Sequence, residues 1–309
     1  MKKIIFFFIL LVTFLHTYNQ EIGFKEIDSW VEDNPGKLVP IRIEFKDNID
    51  CFKVNQQFKD QQTPVNQRPK IVNRLLKEQA VKSQAFVIDF LKKQTSSKTY
   101  YHSFWIVNII VAQVDAATIE KLLQFSNISS IKIENNQFIG HDDFKVSADN
   151  NRTPNGVENG LIAINAPAMW ALGYTGRGRL AYNYDTGVWP NHPAFSNRFI
   201  GDRFPMQQSW IGYFNTFPNG SIQNHGTHTL GTIAGLVEST NDTIGVAFGS
   251  YWIANDFVTS TVQALPPIVN MIEAFQWALN PDNDTSTTED VPDVINNSWR
   301  WYDGNDTIH

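Results

Sequence analysis

The sequence predicts a small α+β domain followed by an α/β domain, in which a parallel sheet is covered by helices on both faces. Three observations indicate this architecture. The length of 309 residues corresponds to about two domains at roughly 150 residues each. The composition, with 42% hydrophobic and 18% charged residues, is that of a globular protein. Beyond residue 161, short apolar segments alternate with helical ones, which favours parallel strands joined by helical crossovers.

Charge and cysteine content exclude several classes of function. The formal net charge is −6, with 25 basic and 31 acidic residues, so the chain has no basic surplus of the kind that nucleic-acid binding requires. Cys51 is the one cysteine in the sequence, which excludes an intrachain disulfide and a cysteine-based zinc cluster. We expect Cys51 to be a buried apolar residue of the first domain.

Residues 1–20 have the pattern of a secretory signal peptide. Lys2 and Lys3 precede an apolar run from Ile4 to Leu15, after which the sequence becomes polar. The run is shorter than the roughly 20 apolar residues of a membrane span, although a permanent anchor is the alternative interpretation. We therefore expect a secreted protein, extracellular or periplasmic, that is soluble once the signal is removed.

Residues 38–140 are predicted to form the first domain. Ile41, Ile43 and Phe45 alternate with polar residues, which is the period-2 pattern of a strand. Residues 60–70 contain prolines and predict a loop. The remaining segments predict, in chain order, an amphipathic helix over 72–91, a strand or hairpin over 104–114, a helix over 116–125 and a strand over 128–133. This order indicates a small α+β sandwich.

Residues 141–160 are rich in Asp, Asn, Gly and Pro and are predicted to be a linker. They precede the second domain, residues 161–309. The predicted elements of this domain are strands at 180–184, 252–254 and 294–295, a helix beginning at His225 and a helix over 268–279. The acidic residues 281–293 predict a surface loop.

A His-Gly-Thr-His motif at residues 225–228 is the strongest local signal. The surrounding glycines place the imidazole of His225 at the start of a helix, beside closely packed backbone. An imidazole there can act as a general base near neutral pH if an acid orients it. A histidine pair at this spacing is also compatible with a structural role in packing or capping. A zinc site is disfavoured, because no glutamate lies between the histidines and no cysteine is nearby.

Asp185 ends a predicted strand and begins an Asp-Thr-Gly turn. Ligands of parallel α/β sheets bind at the carboxyl ends of the strands, so an acid at this position is well placed for function. Alone, Asp-Thr-Gly most often marks a turn. Asp185 and His225 together are more informative, because an acid that fixes an imidazole tautomer is the recurring core of a site that activates a nucleophile.

Four segments together resemble the subtilisin-like serine proteases, the subtilase family. They occur in the order of the family and consist of Asp185-Thr186-Gly187-Val188 with Asn191-His192-Pro193, His225-Gly226-Thr227-His228 with Gly231, Ile244-Gly245-Val246-Ala247, and Asp293-Val294-Ile295-Asn296-Asn297-Ser298-Trp299. The resemblance covers residues 161–309, while residues 38–140 look like the inhibitor-type propeptide of the family. It implies an incomplete, doubly wound subtilisin-like parallel sheet preceded by a ferredoxin-like propeptide domain.

The resemblance also implies roles for individual residues. Asp185 corresponds to the orienting acid and His225 to the general base, while His228 becomes a structural neighbour. Ser298 and Trp299 correspond to the strand that pairs with an extended peptide substrate. Arg300 stands where the family has glycine, and Asn183 is an unusual polar residue in the strand that leads to the acid.

The nucleophile of the family lies in a Gly-Thr-Ser-x-Ala motif, which does not occur in the 309 residues. The asparagine that donates to the oxyanion follows the Ser298 region in the family and has no counterpart here. Without these groups neither an acyl-enzyme nor full transition-state stabilisation is possible. We therefore expect the 309-residue chain to be inactive, and a sheet that stops here to have an uncovered edge.

Three functions are compatible with these observations. The preferred one is a secreted serine endopeptidase zymogen that hydrolyses peptide bonds through an Asp-His-Ser triad, with the propeptide and protein or peptide substrates as partners. The alternative is an inactive fragment that acts as a protease inhibitor or folding helper. An aspartic protease is disfavoured, because no second Asp-Thr-Gly or Asp-Ser-Gly occurs. No cofactor is expected to be required, and the sequence leaves open whether a structural calcium ion binds.

Overall fold

A computed structural model describes residues 26–94, 100–134, 138–140, 156–220, 224–258 and 268–302. The predicted signal peptide, at residues 1–20, and most of the predicted linker, at 141–160, lie outside the described residues. The described residues form two compact units, of which one lies within residues 1–64 and 71–135 and the other within residues 65–70 and 136–309.

The first unit is a four-stranded antiparallel sheet with helices. Its strands are β1 (Val39–Phe45), β2 (Tyr100–Phe104), β3 (Ile109–Val114) and β4 (Ile128–Ile133), and its helices are α1 (Cys51–Asp60), α2 (Arg68–Lys93) and α3 (Ala116–Leu122). The strand order β2-β3-β1-β4, with two crossover helical segments, is that of ferredoxin-like domains. The predicted α+β arrangement is therefore confirmed.

Alternation determines which face of the first sheet is buried. Every second residue of β1, from Val39 to Phe45, is buried, and the residues between them are half-buried. The segment predicted as a strand or hairpin is the hairpin β2–β3, with Asn108 at a positive φ of 49° before β3. Helix α1 was not predicted. Cys51, its first residue, is exposed, so the expectation that it is buried was wrong.

The second unit is built on a parallel sheet. Its strands are β5 (Phe138–Gly140), β6 (Leu180–Asn183), β7 (Trp210–Ile211), β8 (Leu236–Val237), β9 (Asp242–Thr243), β10 (Tyr251–Asn255), β11 (Val294–Asn296) and β12 (Arg300–Tyr302), and its helices are α4 (Asn159–Ala163), α5 (Ala166–Ala171), α6 (His225–Ala234) and α7 (Ile268–Ala278). Strands β11, β6, β10 and β7 lie in that order and pair in parallel. β8 with β9 and β5 with β12 form two separate antiparallel two-stranded sheets.

Helices cover the parallel sheet from both sides. On one face Tyr182, Tyr184 and Ile253 pack with Ala274 and Ala278 of α7. On the other face Trp252 and Ala254 pack with Leu230 and Ala234 of α6. Every residue of β6 is buried, as expected for a strand with helices on both sides. These contacts confirm the predicted α/β class.

Strand β11 forms one edge of the parallel sheet, and its Val294 and Ile295 are 59% and 37% exposed. Within the described ranges, no helix has the length and apolarity needed to cross a membrane.

Candidate active site

Asp185 and His225 meet at the carboxyl end of β6. Asp185 follows this strand by two residues, and His225 is the first residue of α6. His225 Nδ1 lies 2.6 Å from Asp185 Oδ1. Both side chains are buried, with 7% of His225 and none of Asp185 exposed. The structure thus brings together the two residues that the sequence paired as acid and base.

Further hydrogen bonds hold the carboxylate of Asp185. Its Oδ1 also accepts from the backbone N–H of Thr186 at 2.7 Å, and its Oδ2 accepts from Thr229 Oγ1 at 3.2 Å. Its own backbone N–H donates to Asn255 Oδ1 at 2.9 Å. Because donors reach both oxygens, the carboxylate has one defined orientation toward the imidazole.

Glycine at two positions permits this close approach. Gly187 has a φ of +103°, and a Cβ there would overlap the carbonyl oxygen of Asn219. A Cβ on Gly226 would overlap the carbonyl oxygen of Gly187. The turn after Asp185 and the first turn of α6 therefore touch through backbone atoms.

The two histidines of the motif differ in their surroundings. His225 is buried against Asp185, whereas His228 is exposed on the same helix. Among the residues that the structure describes, no group of three or more His, Cys, Asp or Glu side chains could hold a metal ion.

Ser298 and Trp299 lie between β11 and β12. The amide of Asn296 donates to Ser298 Oγ at 3.0 Å. The indole N–H of Trp299 donates to the backbone carbonyl of Tyr184 at 3.0 Å. Tyr184 directly precedes Asp185, so this hydrogen bond holds Trp299 against the segment that carries Asp185. Beyond them, the backbone of β12 pairs antiparallel with β5.

Asp256 holds a loop beside the site and was not singled out from the sequence. Its buried carboxylate accepts from the backbone N–H groups of Tyr213, Phe214 and Asn215 at 2.6, 3.3 and 2.8 Å. The side-chain amide of Asn215 adds a bond of 2.8 Å. This loop continues to Asn219, whose carbonyl lies over Gly187. Asp256 follows the end of β10, and that position was the signal that could have identified it.

Burial shifts the pKa of three aromatic side chains around the site. Burial raises the pKa of Tyr182 and of Tyr184 well above the usual range, so both phenols stay neutral. Burial lowers the pKa of His192, whose Nδ1 accepts from the backbone of Ala194 at 3.3 Å. These three rings take part in aromatic packing.

Comparisons with known proteins agree with the motifs. Residues 184–306 match the model of the Subtilase family. Bacillopeptidase F of Bacillus subtilis is 30% identical over 267 residues, which are 78% of this chain and 18% of that protein. Subtilisin of Bacillus pumilus is 33% identical over 129 residues, which are 41% of this chain and 42% of that protein. The chain thus spans less than half the length of these relatives.

Two solved structures align with most of this chain at low sequence identity. Fervidolysin of Fervidobacterium pennivorans, described as a keratinolytic enzyme related to subtilisin, matches 87% of this chain and 37% of its own with 15% identity and a TM-score of 0.45. The serine protease of Staphylococcus aureus that processes the epidermin leader peptide matches 84% of this chain and 50% of its own with 12% identity and a TM-score of 0.45.

Proposed function

This chain belongs to the subtilase family, and on that premise we propose that it supplies the acid and the base of a secreted serine endopeptidase made as a zymogen. The observation that carries the proposal is the 2.6 Å contact between His225 Nδ1 and Asp185 Oδ1. Asp185 keeps the proton of the imidazole on Nδ1, which leaves Nε2 to accept a proton.

The proposed reaction is acyl transfer. Nε2 of His225 takes the proton of a serine hydroxyl as its oxygen attacks the peptide carbonyl, and then returns that proton to the leaving amine. Asp185 stabilises the imidazolium that forms in between. No Gly-Thr-Ser-x-Ala motif occurs among the 309 residues, so the activity depends on a serine supplied from outside them. We expect the 309 residues alone to be inactive.

The segment that follows β11 is proposed to bind the substrate, with Ser298 and Trp299 as its first residues. The backbone pairing of β12 with β5 supports this role, because it pairs this part of the chain with an extended segment. We further propose residues 38–140 as the propeptide and residues 1–20 as the signal for secretion. The alternative of an inhibitor or folding helper is not favoured, because the matching relatives are named as proteinases and peptidases.

The test compares His225→Ala with His228→Ala in the longest in-frame protein encoded by the gene that contains these residues. Hydrolysis of a fluorescent casein and of a peptide p-nitroanilide gives kcat/KM. His225→Ala is expected to lose at least about ten-thousand-fold of kcat/KM, whereas His228→Ala, exposed on the same helix, stays within about tenfold.

Two controls accompany this comparison. The 309-residue chain alone should neither cleave the substrates nor react with a sulfonyl fluoride that labels activated serines. Equal activities of His225→Ala and the unchanged protein would show that His225 is not the general base.

A further inference from the structure

Three neighbouring parallel strands end in asparagine. Asn183 ends β6, Asn255 ends β10 and Asn296 ends β11. Asn183 lies directly opposite Asn296 in the register of β6 and β11. Asn183 and Asn255 are fully buried. Uncharged polar side chains in such positions are retained only with hydrogen-bond partners, so their partners show what they hold.

Asn183 lies at the centre of a chain of hydrogen bonds. Its Oδ1 accepts from Asn296 Nδ2 at 3.1 Å and faces Thr229 Oγ1, also at 3.1 Å. Its Nδ2 donates to the carbonyl of Gly226 at 2.9 Å. Asn296 in turn donates to Ser298 Oγ at 3.0 Å. The chain therefore extends from the segment of Ser298 to the first turn of α6.

Thr229 has one hydroxyl proton and three acceptors within reach. These are Asn183 Oδ1 at 3.1 Å, the carbonyl of Gly226 at 3.1 Å and Asp185 Oδ2 at 3.2 Å. Two of them already receive a proton from elsewhere, because Asn296 donates to Asn183 and Asn183 donates to Gly226. Each of these oxygens can accept a second hydrogen bond, but an oxygen that already accepts one attracts a further proton less strongly. Asp185 Oδ2 also carries the negative charge and forms the stronger hydrogen bond, so the hydroxyl proton favours it.

We propose that Asn183 is a positioning residue that directs the hydroxyl proton of Thr229 onto Asp185 and thereby couples the Asp185–His225 pair to the segment that carries Ser298. The relevance of this coupling to catalysis rests on the proposed function. A displacement of Asn296 at the substrate segment removes the donor from Asn183 Oδ1, which then competes more strongly with Asp185 for the Thr229 proton. With one donor fewer, the carboxylate accepts more strongly from Nδ1 of His225.

The experiment is proton NMR of the 309-residue chain labelled with 15N-histidine, and it needs no peptide cleavage. The proton that His225 Nδ1 shares with Asp185 gives a low-field resonance, which is assigned by its loss in His225→Ala. Thr229→Val removes the hydroxyl at nearly constant volume and is expected to move the resonance downfield. Thr229→Ser keeps the hydroxyl and is expected to leave the resonance in place.

The remote variants decide the proposal. Asn296→Ala leaves Asn183 Oδ1 as the stronger competitor for the Thr229 proton, whereas Asn183→Leu removes that oxygen and takes the side-chain donor away from the competing carbonyl of Gly226. Both variants are expected to move the resonance downfield by less than Thr229→Val does. In Thr229→Val/Asn296→Ala the shift should equal that of Thr229→Val alone. Tyr184→Phe is the matched control, because it removes a buried hydroxyl that donates to the carbonyl of Met271 at the residue between Asn183 and Asp185.

Unchanged resonances in Asn296→Ala and Asn183→Leu, or additive shifts in the double variant, would overturn the coupling. If Asn183→Leu does not fold, Asn296→Ala at its half-buried position decides the matter by the same criterion. The resonance is read without turnover, so a protein that fails to cleave peptides would refute the proposed function and leave this result unaffected.

Discussion

At the scale of single residues, the site depends on glycines, because two backbone segments approach each other more closely than a Cβ atom would allow. Gly226 and Gly187 bring the start of α6 against the turn after Asp185, and this contact sets the 2.6 Å distance between Asp185 and His225. Gly231, one turn and a half further along α6, has nothing within 4 Å of a Cβ placed on it. A side chain is therefore unfavourable at Gly226 and sterically allowed at Gly231.

Gly226→Ala is expected to lower the free energy of unfolding by about 1–3 kcal/mol, because the added methyl group overlaps the carbonyl of Gly187. Gly231→Ala is the matched control and is expected to gain up to about 1 kcal/mol from helix propensity. Urea unfolding followed by circular dichroism measures both. A Gly226→Ala variant as stable as Gly231→Ala would contradict the close contact.

Asp290 gives a residue-scale prediction for the dependence of stability on pH. Its side chain is 3% exposed and accepts from the backbone of Asp282 at 2.8 Å. Burial, followed by the charge of Asp282, raises the pKa of Asp290. A raised pKa means that folding favours the protonated form, so this contribution is complete below the unfolded pKa of about 3.9 and is lost as the pH rises through the folded pKa.

Asp290→Asn is therefore expected to increase the free energy of unfolding at pH 7, with the increase vanishing below about pH 4. Asp202→Asn, at an exposed carboxyl, serves as control and should change little at either pH. Urea unfolding at pH 3.5 and pH 7 measures the difference. A decrease at pH 7 would mean that the charged form of Asp290 stabilises the fold.

At the scale of elements, the ends of the parallel strands position the site. β6 leads to Asp185, β10 leads to Asp256, and β11 leads to Ser298. Asp256 gathers three successive backbone N–H groups at residues 213–215, and so holds the loop that closes over Gly187. A charged acceptor is suited to this task, because its hydrogen bonds are stronger than those of a neutral one.

Asp256→Asn is expected to lower the free energy of unfolding by about 2 kcal/mol, because the new amide directs N–H groups at backbone donors. Limited proteolysis should then cut within residues 212–220 faster than in the unchanged protein. Glu238→Gln, at an exposed carboxyl, is the control and should leave both measurements unchanged. Equal cleavage rates for Asp256→Asn and the unchanged protein would show that other contacts hold the loop.

At the scale of the whole molecule, each unit has a hydrophobic core of its own. The core of the first unit consists of residues from Ile27 to Ile131 and includes strands β1, β3 and β4 together with α2 and α3, while Tyr101 of β2 packs against it. The two clusters on the parallel sheet lie within residues 180–278. A core contained within one unit is what independent folding requires.

A fragment of residues 26–135 is therefore expected to fold alone and to unfold in one cooperative transition, measured by circular dichroism in urea. Ile43→Ala, at a fully buried position of β1, is expected to cost about 2–5 kcal/mol. Val81→Ala, 71% exposed on α2, should cost little. A fragment without a cooperative transition would mean that the first unit depends on the rest of the chain.

Local periodicity accounts for the elements that could be predicted. β1, α2, β6, α6, β10 and α7 show alternation, helical spacing or an apolar run, each long enough to be recognised. α1 escaped prediction because its polar sequence buries one residue, Phe58. β7 has two residues, which is too short for any period. Contacts with the rest of their unit, rather than local periodicity, determine α1 and β7.

The sequence by itself determined the α/β class, the α+β unit before it, and the pairing of Asp185 with His225, because spacing along the chain and strand-end position are local properties. Tertiary structure alone decided which groups support that pair. Thr229, Asn183 and Asn296 lie on three different elements, and their hydrogen bonds to one another exist because a parallel sheet brings the ends of its strands to one edge. The direction of a single hydroxyl proton depends on the donors and acceptors around it, and two of these groups, Asn183 and Asn296, lie 113 residues apart in the chain.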